Sequence, residues 1–224
     1  LMLSLEGVEQ FGVEVWPADL FHELGVRMAS LTWNRRNAYA DGAAEGDGGL
    51  SRLGRELVDR LVALGVVLDL AHASHGTFTE VIRRAAGAPL LCSHAGCRAV
   101  LDTPRNLDDD QLRALASADG LLGLMLHPIA IAPAAPTVDR VDDHLEHAAA
   151  VMGIERVCLG GDFTRRLWEV IPPPPQPKDG LMPPGLEPGQ GIDGLVGSDD
   201  YPALVAALER RGWGAADVAA VPHS

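Results

Sequence analysis

The sequence predicts an α/β fold, a (β/α)8 barrel of the TIM type, and two observations carry this prediction. Short apolar stretches alternate with segments of helical periodicity along most of the 224 residues, as in a parallel sheet whose strands are joined by helices. Five of these stretches run directly into a residue that can bind metal or a polar substrate: Glu6, Trp33, His72, His94 and Asp162. Because the carboxyl ends of barrel strands meet on one face, where active sites lie, we expect the functional site there.

The alternation predicts six strands, within the stretches LMLSLE, VRMASLTW, GVVLDLAH, PLLCSH, LLGLMLH and ERVCLGGD. Helices are predicted at 17–25, at 51–64, around TFTEVIRRAAG, around DDDQLRALASADG, from Val138 to Met152 and in YPALVAALERRG. The polar, glycine-rich segment from Asn34 to Leu50 predicts a long loop above the barrel. A closed barrel has eight strands. We therefore expect residues 1–224 to be one partial barrel domain, with its N-terminal units and extreme C-terminus outside this chain.

Composition excludes several classes of protein. A hydrophobic content of 47% suits a globular domain with a large core. The formal net charge of −13 argues against a nucleic-acid partner, which needs a clustered basic face. No apolar run approaches the ~20 residues that a membrane-spanning helix needs. The three cysteines, Cys92, Cys97 and Cys158, form no CxxC pair, so we expect reduced core thiols and a cytoplasmic location.

Two strand-end histidines, His72 and His94, indicate a metal site when they are taken with Glu6. Two imidazoles and a carboxylate are a common ligand set of catalytic zinc, with one position left for water. From these residues alone, a structural role for the histidines is about as well supported. His127 also ends a strand and lies either in the core or at the rim of the site. His144 and His147 lie in the acidic helix segment DDHLEHAAA, which favours a solvated face.

The remaining histidines, His22, His75 and His223, are expected to be structural or exposed.

Several stretches, in their order along the chain, resemble the membrane (renal-type) dipeptidases, peptidase family M19 of the amidohydrolase superfamily. They are LSLEG, GVRMASLTWNRRNAYADG, GVVLDLAHAS, PLLCSHAGCRAV, TPRNLDDDQLRALA and GIERVCLGGDF. The resemblance implies two zinc ions bridged by Glu6, with His72 and His94 on one of them. The early His-x-Asp pair that completes the other ion in the family is absent. The sole lysine, Lys178, does not end a strand, so the carboxylated-lysine bridge of other amidohydrolases is not available.

The resemblance also implies a reaction, the hydrolysis of a dipeptide by a metal-activated bridging hydroxide. Arg105 would hold the substrate carboxylate, and Asp162 would hold the substrate amine or carry the proton to the leaving nitrogen. Trp33 stands where many relatives have a histidine that contacts the reacting carbonyl, and an indole cannot carry that proton. Without the resemblance, the alternative for Arg105 is a surface arginine in a loop, and a helix N-cap is an equally good interpretation of Asp162.

Two alternatives stay open at this point. One is a different hydrolase of the amidohydrolase type on the same metal scaffold, since a fold and its metals do not fix the substrate. The other is a truncated, non-catalytic remnant, which the missing His-x-Asp pair favours. A homodimer is expected by analogy with the family alone.

Overall fold

A computed structural model describes residues 2–46, 48–171, 186 and 189–221. Their strands form one six-stranded sheet in which each strand lies beside the next in sequence. The strands are β1 (Leu3–Leu5), β2 (Val26–Ser30), β3 (Val67–Asp69), β4 (Leu90–Ala95), β5 (Leu121–Leu124) and β6 (Val157–Leu159). The predicted α/β class and all six predicted strands are confirmed.

The strands pair in parallel, and the register brings their carboxyl ends to the same edge. Ser4 pairs with Met28 between β1 and β2, and Gly123 pairs with Cys158 between β5 and β6. The pairs β2–β3 and β3–β4 are parallel as well. Residues that follow the strands therefore collect at one end of the sheet, as in a barrel.

Helices join the strands in the order that the periodicity predicted. They are α1 (Pro17–Glu23), α2 (Arg52–Ala63), α3 (His75–Arg84), α4 (Asp109–Ser117), α5 (Pro128–Ile131), α6 (Val138–Met152), α7 (Arg165–Val170), α8 (Tyr201–Arg210) and α9 (Ala215–Ala220). The sequence did not reveal α5, α7 and α9, because stretches of four to six residues are too short to show a helical period.

Helix α2 shows why these segments become helices. The hydroxyl of Ser51 accepts a hydrogen bond from the backbone N–H of Gly54 at 3.0 Å, which is the predicted N-cap. Leu57, Val58 and Leu61 are buried on its inner face. Each fully buried side chain of this size contributes about 1.5–3 kcal/mol.

The chain divides into two compact units, Leu1–Cys92 with Arg113–Leu121, and Ser93–Leu112 with Leu122–Ser224. In the first unit, α2 packs on β3, α1 and α3. In the second, α6 packs on β6, α5 and α8. A single domain over residues 1–224 stays a prediction.

Among the described residues, no helix has the length and the apolar character needed to cross a bilayer. Most of the proline-rich stretch that holds Lys178, and the histidine at 223, lie outside the described residues.

Candidate metal centre

Among the described residues, one group of His, Cys, Asp and Glu side chains could hold a metal ion: Glu6, His72 and His94. Each offers one ligand atom, and these atoms all lie within 4.8 Å of one another. Glu6 follows β1 directly, His72 lies three residues beyond β3, and His94 lies in β4. The three residues that the sequence singled out as metal ligands are thus brought together.

Glu6 faces His72 across a short gap. Its Oε1 lies 2.9 Å from Nε2 of His72, and the Glu6 side chain is half-exposed. The next residue, Gly7, has a φ of 81°, and its backbone N–H donates to the hydroxyl of Ser30 at 2.8 Å. This turn at the end of β1 fixes the direction in which Glu6 leaves the sheet.

The imidazole of His72 is buried, and its two nitrogens have different surroundings. Nδ1 lies 2.6 Å from Oδ1 of Asn34. An amide oxygen can only accept, so Nδ1 must carry a proton and donate. In the neutral ring, Nε2 then presents a lone pair to the Glu6 carboxylate. A proton on Nε2 or a bound cation would remove the repulsion between these two electron-rich atoms, so the pair is compatible with a cation.

His94 is buried in β4, and Nδ1 of its ring lies 2.8 Å from the hydroxyl of Ser93. This partner at Nδ1 leaves Nε2 as the ring nitrogen that suits a metal. The backbone around Ser93 is crowded, because a Cβ on Gly123 or Gly160 would collide with its carbonyl oxygen. Glycine at both positions lets β5 and β6 come close to the backbone that carries His94.

Arg105 is almost fully buried, with 4% of its surface exposed. Its Nη2 donates to the backbone oxygen of His94 at 3.4 Å, so the guanidinium lies beside the β4 end. Arg105 is therefore not a surface arginine, which was the alternative that the sequence offered without the resemblance. A permanently charged side chain is seldom buried unless it is paired.

Asp162 and His127 follow the ends of the adjacent strands β6 and β5. The backbone N–H of Leu126 donates to the oxygen of Gly161 at 3.1 Å, which joins the two extensions. Burial lowers the pKa of His127, the charge of Asp162 raises it, and His94 lowers it further. His127 thus lies within electrostatic reach of two predicted site residues. The sequence had left it between core and rim.

Trp33 lies three residues beyond β2 and is 41% exposed. Its ring centroid lies 5.9 Å from that of His72, with an angle of 31° between the planes. The indole therefore covers one side of a candidate ligand.

The helix α6 contains a histidine for which the sequence-based expectation was wrong. His144 is fully buried, not solvated. Its Nδ1 accepts from the backbone N–H of Cys97 at 2.9 Å, and its Nε2 lies 3.1 Å from the oxygen of Ile131. Burial lowers the pKa of His144 to about 4. The prediction was wrong because it relied on the acidic residues next to His144 in sequence. His144 lies on the buried side of α6 together with Val141 and Leu145.

The second histidine of α6 is half-buried. Nε2 of His147 lies 2.7 Å from a carboxylate oxygen of Asp109. Neither His144 nor His147 belongs to the candidate metal group.

Asp142, two residues before His144 in α6, is buried with no hydrogen-bond partner for either carboxylate oxygen among the described residues. Arg211 Nε is 3.5 Å away. Burial raises the pKa of Asp142 to about 7, and the charge of Arg211 opposes the shift.

Comparisons with known proteins show which family this chain resembles. A model of the membrane dipeptidase family, peptidase family M19, matches residues 1–168. Dipeptidase aclJ of Aspergillus oryzae is 33% identical over 227 residues, covering 98% of this chain and 48% of that protein. Dipeptidase 3 of Rattus norvegicus is 28% identical, over 95% of this chain and 41% of the relative.

Two solved structures share the fold with a TM-score of 0.82. A metallopeptidase of Rhodobacter sphaeroides, crystallised with a phosphinate mimic of the dipeptide L-Ala-D-Ala, is 26% identical and covers 100% of this chain and 60% of its own. Dipeptidase AC, a metallopeptidase of family M19, is 27% identical over 100% of this chain and 61% of its own. The chain spans about half the length of the curated relatives. It belongs to the membrane dipeptidase family, peptidase family M19.

Proposed function

We propose that this chain carries part of the active site of a metal-dependent dipeptidase, which hydrolyses the peptide bond of a dipeptide. The observation that carries the proposal is the convergence of Glu6, His72 and His94 in a member of a dipeptidase family. Two imidazole nitrogens and a carboxylate oxygen are donors that zinc favours, so zinc is the proposed metal.

The metal would supply two things when bound, a hydroxide at neutral pH and polarisation of the substrate carbonyl. Glu6, His72 and His94 would hold it, and Glu6 would bridge to a second ion, as the family resemblance implies. That second ion would need ligands beyond these three residues.

The substrate would be held by charged groups at neighbouring strand ends. Arg105 suits a carboxylate, because its planar guanidinium keeps its charge at every working pH and binds two oxygens at once. Its burial strengthens such a pair, since fewer waters compete. Asp162 would hold the substrate amine or carry the proton to the leaving nitrogen. Trp33 would form an apolar wall of the site.

A test compares three substrates on the purified 224-residue chain loaded with zinc. They are a dipeptide with both termini free, the same dipeptide as its C-terminal amide, and an N-acylated amino acid. We expect the free dipeptide to be hydrolysed with the highest kcat/KM, and the amide to lose roughly 10-fold or more, because one charge-assisted pair contributes about 1.5–3 kcal/mol.

Other outcomes decide between the alternatives. Turnover of the acylated amino acid but not of the dipeptide would favour another hydrolase on the same scaffold. Bound zinc without turnover of any of the three would favour a non-catalytic chain.

We also propose a reducing, cytoplasmic compartment and a homodimer. Support for the first is that Cys92, Cys97 and Cys158 are free thiols, two of them buried. Support for the second comes from family analogy.

A further inference from the structure

The ring of His72 is held by the segment that follows β2. Asn34 contacts its Nδ1 at 2.6 Å, and Trp33 lies against its face. The hydroxyl of Thr32 donates to the backbone oxygen of His72 at 3.2 Å. Three consecutive residues of one segment thus contact the ring or the backbone of one candidate ligand.

Asn34 is itself held in place. It is 7% exposed, and its φ of 61° lies in the left-handed region, which asparagine tolerates better than most residues. Its backbone oxygen accepts from the N–H of Ala44 at 2.8 Å, while the N–H of Ala43 donates to the oxygen of His72 at 2.8 Å. Gly42 has no room for a Cβ, because the backbone of Asn34 occupies that place. The segment from Gly42 to Ala44 therefore ties the two residues to each other.

We propose that Asn34 is a positioning residue of the metal centre, one that fixes His72 as the Nδ1–H tautomer and commits its Nε2 to the ion. The inference rests on the proposed function, because it assigns a role around the same centre. A metal-bound histidine needs an unprotonated nitrogen, and the partner of the other ring nitrogen decides which one that is. Loss of such outer partners typically reduces metal affinity about 10–100-fold.

Two substitutions at Asn34 separate the hydrogen bond from the backbone. Asn34→Gly keeps the left-handed φ at no steric cost and removes the acceptor. Asn34→Asp keeps an acceptor of the same shape. Asn37→Ala is the matched control, an asparagine in the same loop whose amide donates to Leu31 and Glu9 and accepts from Tyr39 and Ala40.

The first measurement is the Kd for zinc, by competition with a chromophoric chelator, on each folded variant. We expect Asn34→Gly to weaken zinc binding about 10–100-fold, Asn34→Asp to stay within roughly threefold of the unchanged chain, and Asn37→Ala to lower thermal stability without changing the Kd. Equal affinity of Asn34→Gly and the unchanged chain would overturn the inference and leave the proposed function intact. A chain that binds no zinc would overturn both.

The second measurement does not depend on metal. Nitrogen-15 NMR of the metal-free chain reports which ring nitrogen of His72 carries the proton. For the neutral ring, we expect the Nδ1–H form in the unchanged chain and in Asn37→Ala, and a mixture or the Nε2–H form in Asn34→Gly. An Nε2–H form in the unchanged chain would overturn the inference whatever the zinc affinities show.

Discussion

Two buried histidines, one at the sheet end and one on α6, have nearly the same exposure and different surroundings. His72 has one nitrogen on the side-chain amide of Asn34 and the other opposite the carboxylate of Glu6. His144 has both nitrogens on the backbone, at Cys97 and Ile131. The first ring leaves a nitrogen for an ion, whereas the second uses both nitrogens in the hydrogen bonds of its own fold. Burial does not distinguish a candidate ligand from a structural histidine. The distinction lies in whether both ring nitrogens bond to the backbone, as in His144, or one faces a possible metal ligand, as in His72.

The largest expected effect is the loss of zinc affinity when a candidate ligand such as His72 is removed. His72→Ala should lose more zinc affinity than the roughly 10–100-fold that an outer partner costs. The same loss is expected for Glu6→Ala and His94→Ala. Elemental analysis of the purified variants measures it, with His147→Ala as a histidine control. Full metal retention in all three variants would remove these residues from the centre.

On the other side, His144→Phe should destabilise the fold by about 3 kcal/mol, because the buried N–H of Cys97 and the oxygen of Ile131 lose their partner. Zinc affinity should stay unchanged. Urea unfolding measures the difference in free energy, and His147→Phe, at a half-buried position of the same helix, should cost less than about 1 kcal/mol. A loss of zinc with stability unchanged would show that the two histidines have been assigned the wrong way round.

The pH dependence of the stability of His144→Phe tests the assignment of His144 as a buried structural residue. Burial lowers the pKa of His144 from 6.5 to about 4. A lowered pKa in the folded state means that the unfolded chain binds the extra proton, so the stability from His144 is complete above about pH 6.5 and is lost as the pH falls toward 4. The difference in stability between the unchanged chain and His144→Phe should therefore shrink across that window. A constant difference would contradict the lowered pKa.

Asp142, on the same helix, should act in the opposite direction and by less. Burial raises its pKa from 3.8 to about 7, so its contribution is complete below about pH 4 and is lost as the pH rises through 7. Asp142→Asn should stabilise the chain at pH 8, because it removes a buried charge. The gain should be on the order of 2 kcal/mol, since Arg211 already offsets part of the cost of burying that charge. Urea unfolding at pH 5 and pH 8 checks the sign. Asp143→Asn is the control, since hydrogen bonds from Arg211 and Arg140 hold the pKa of Asp143 low despite its burial.

The smallest effect is expected at Trp33, which contacts the ring of His72 without a hydrogen bond to it. Trp33→Leu should weaken zinc binding less than about 10-fold, since an aromatic contact contributes about 0.5–1.5 kcal/mol. Zinc competition and dipeptide KM measure the change. If Trp33→Leu lost more zinc affinity than Asn34→Gly, the indole of Trp33 and not the amide of Asn34 would be the main group that positions His72.

The sequence predicted the strands correctly and singled out three ligand candidates that lie close together, because both predictions depend on local patterns. An apolar run that ends in His or Glu is visible in one dimension, and Glu6, His72 and His94 do converge. The sequence could not reveal Asn34, since nothing in LTWN indicates a bond to a ring 38 residues away. It also misplaced His144, because charge in the surrounding residues does not tell which side of a helix is packed.

The backbone at the sheet end has a further consequence for protein engineering. Among the described residues, Asn34, His72, Asp119 and Asp162 are the non-glycine residues with a positive φ, and three of the four belong to the predicted site or contact it. For most residues other than glycine this conformation costs roughly 1–2 kcal/mol, and Asn and Asp tolerate it better than His. A selection for heat resistance alone would therefore favour glycine at 72 and 162, and would yield more stable chains that had lost two side chains of the predicted site.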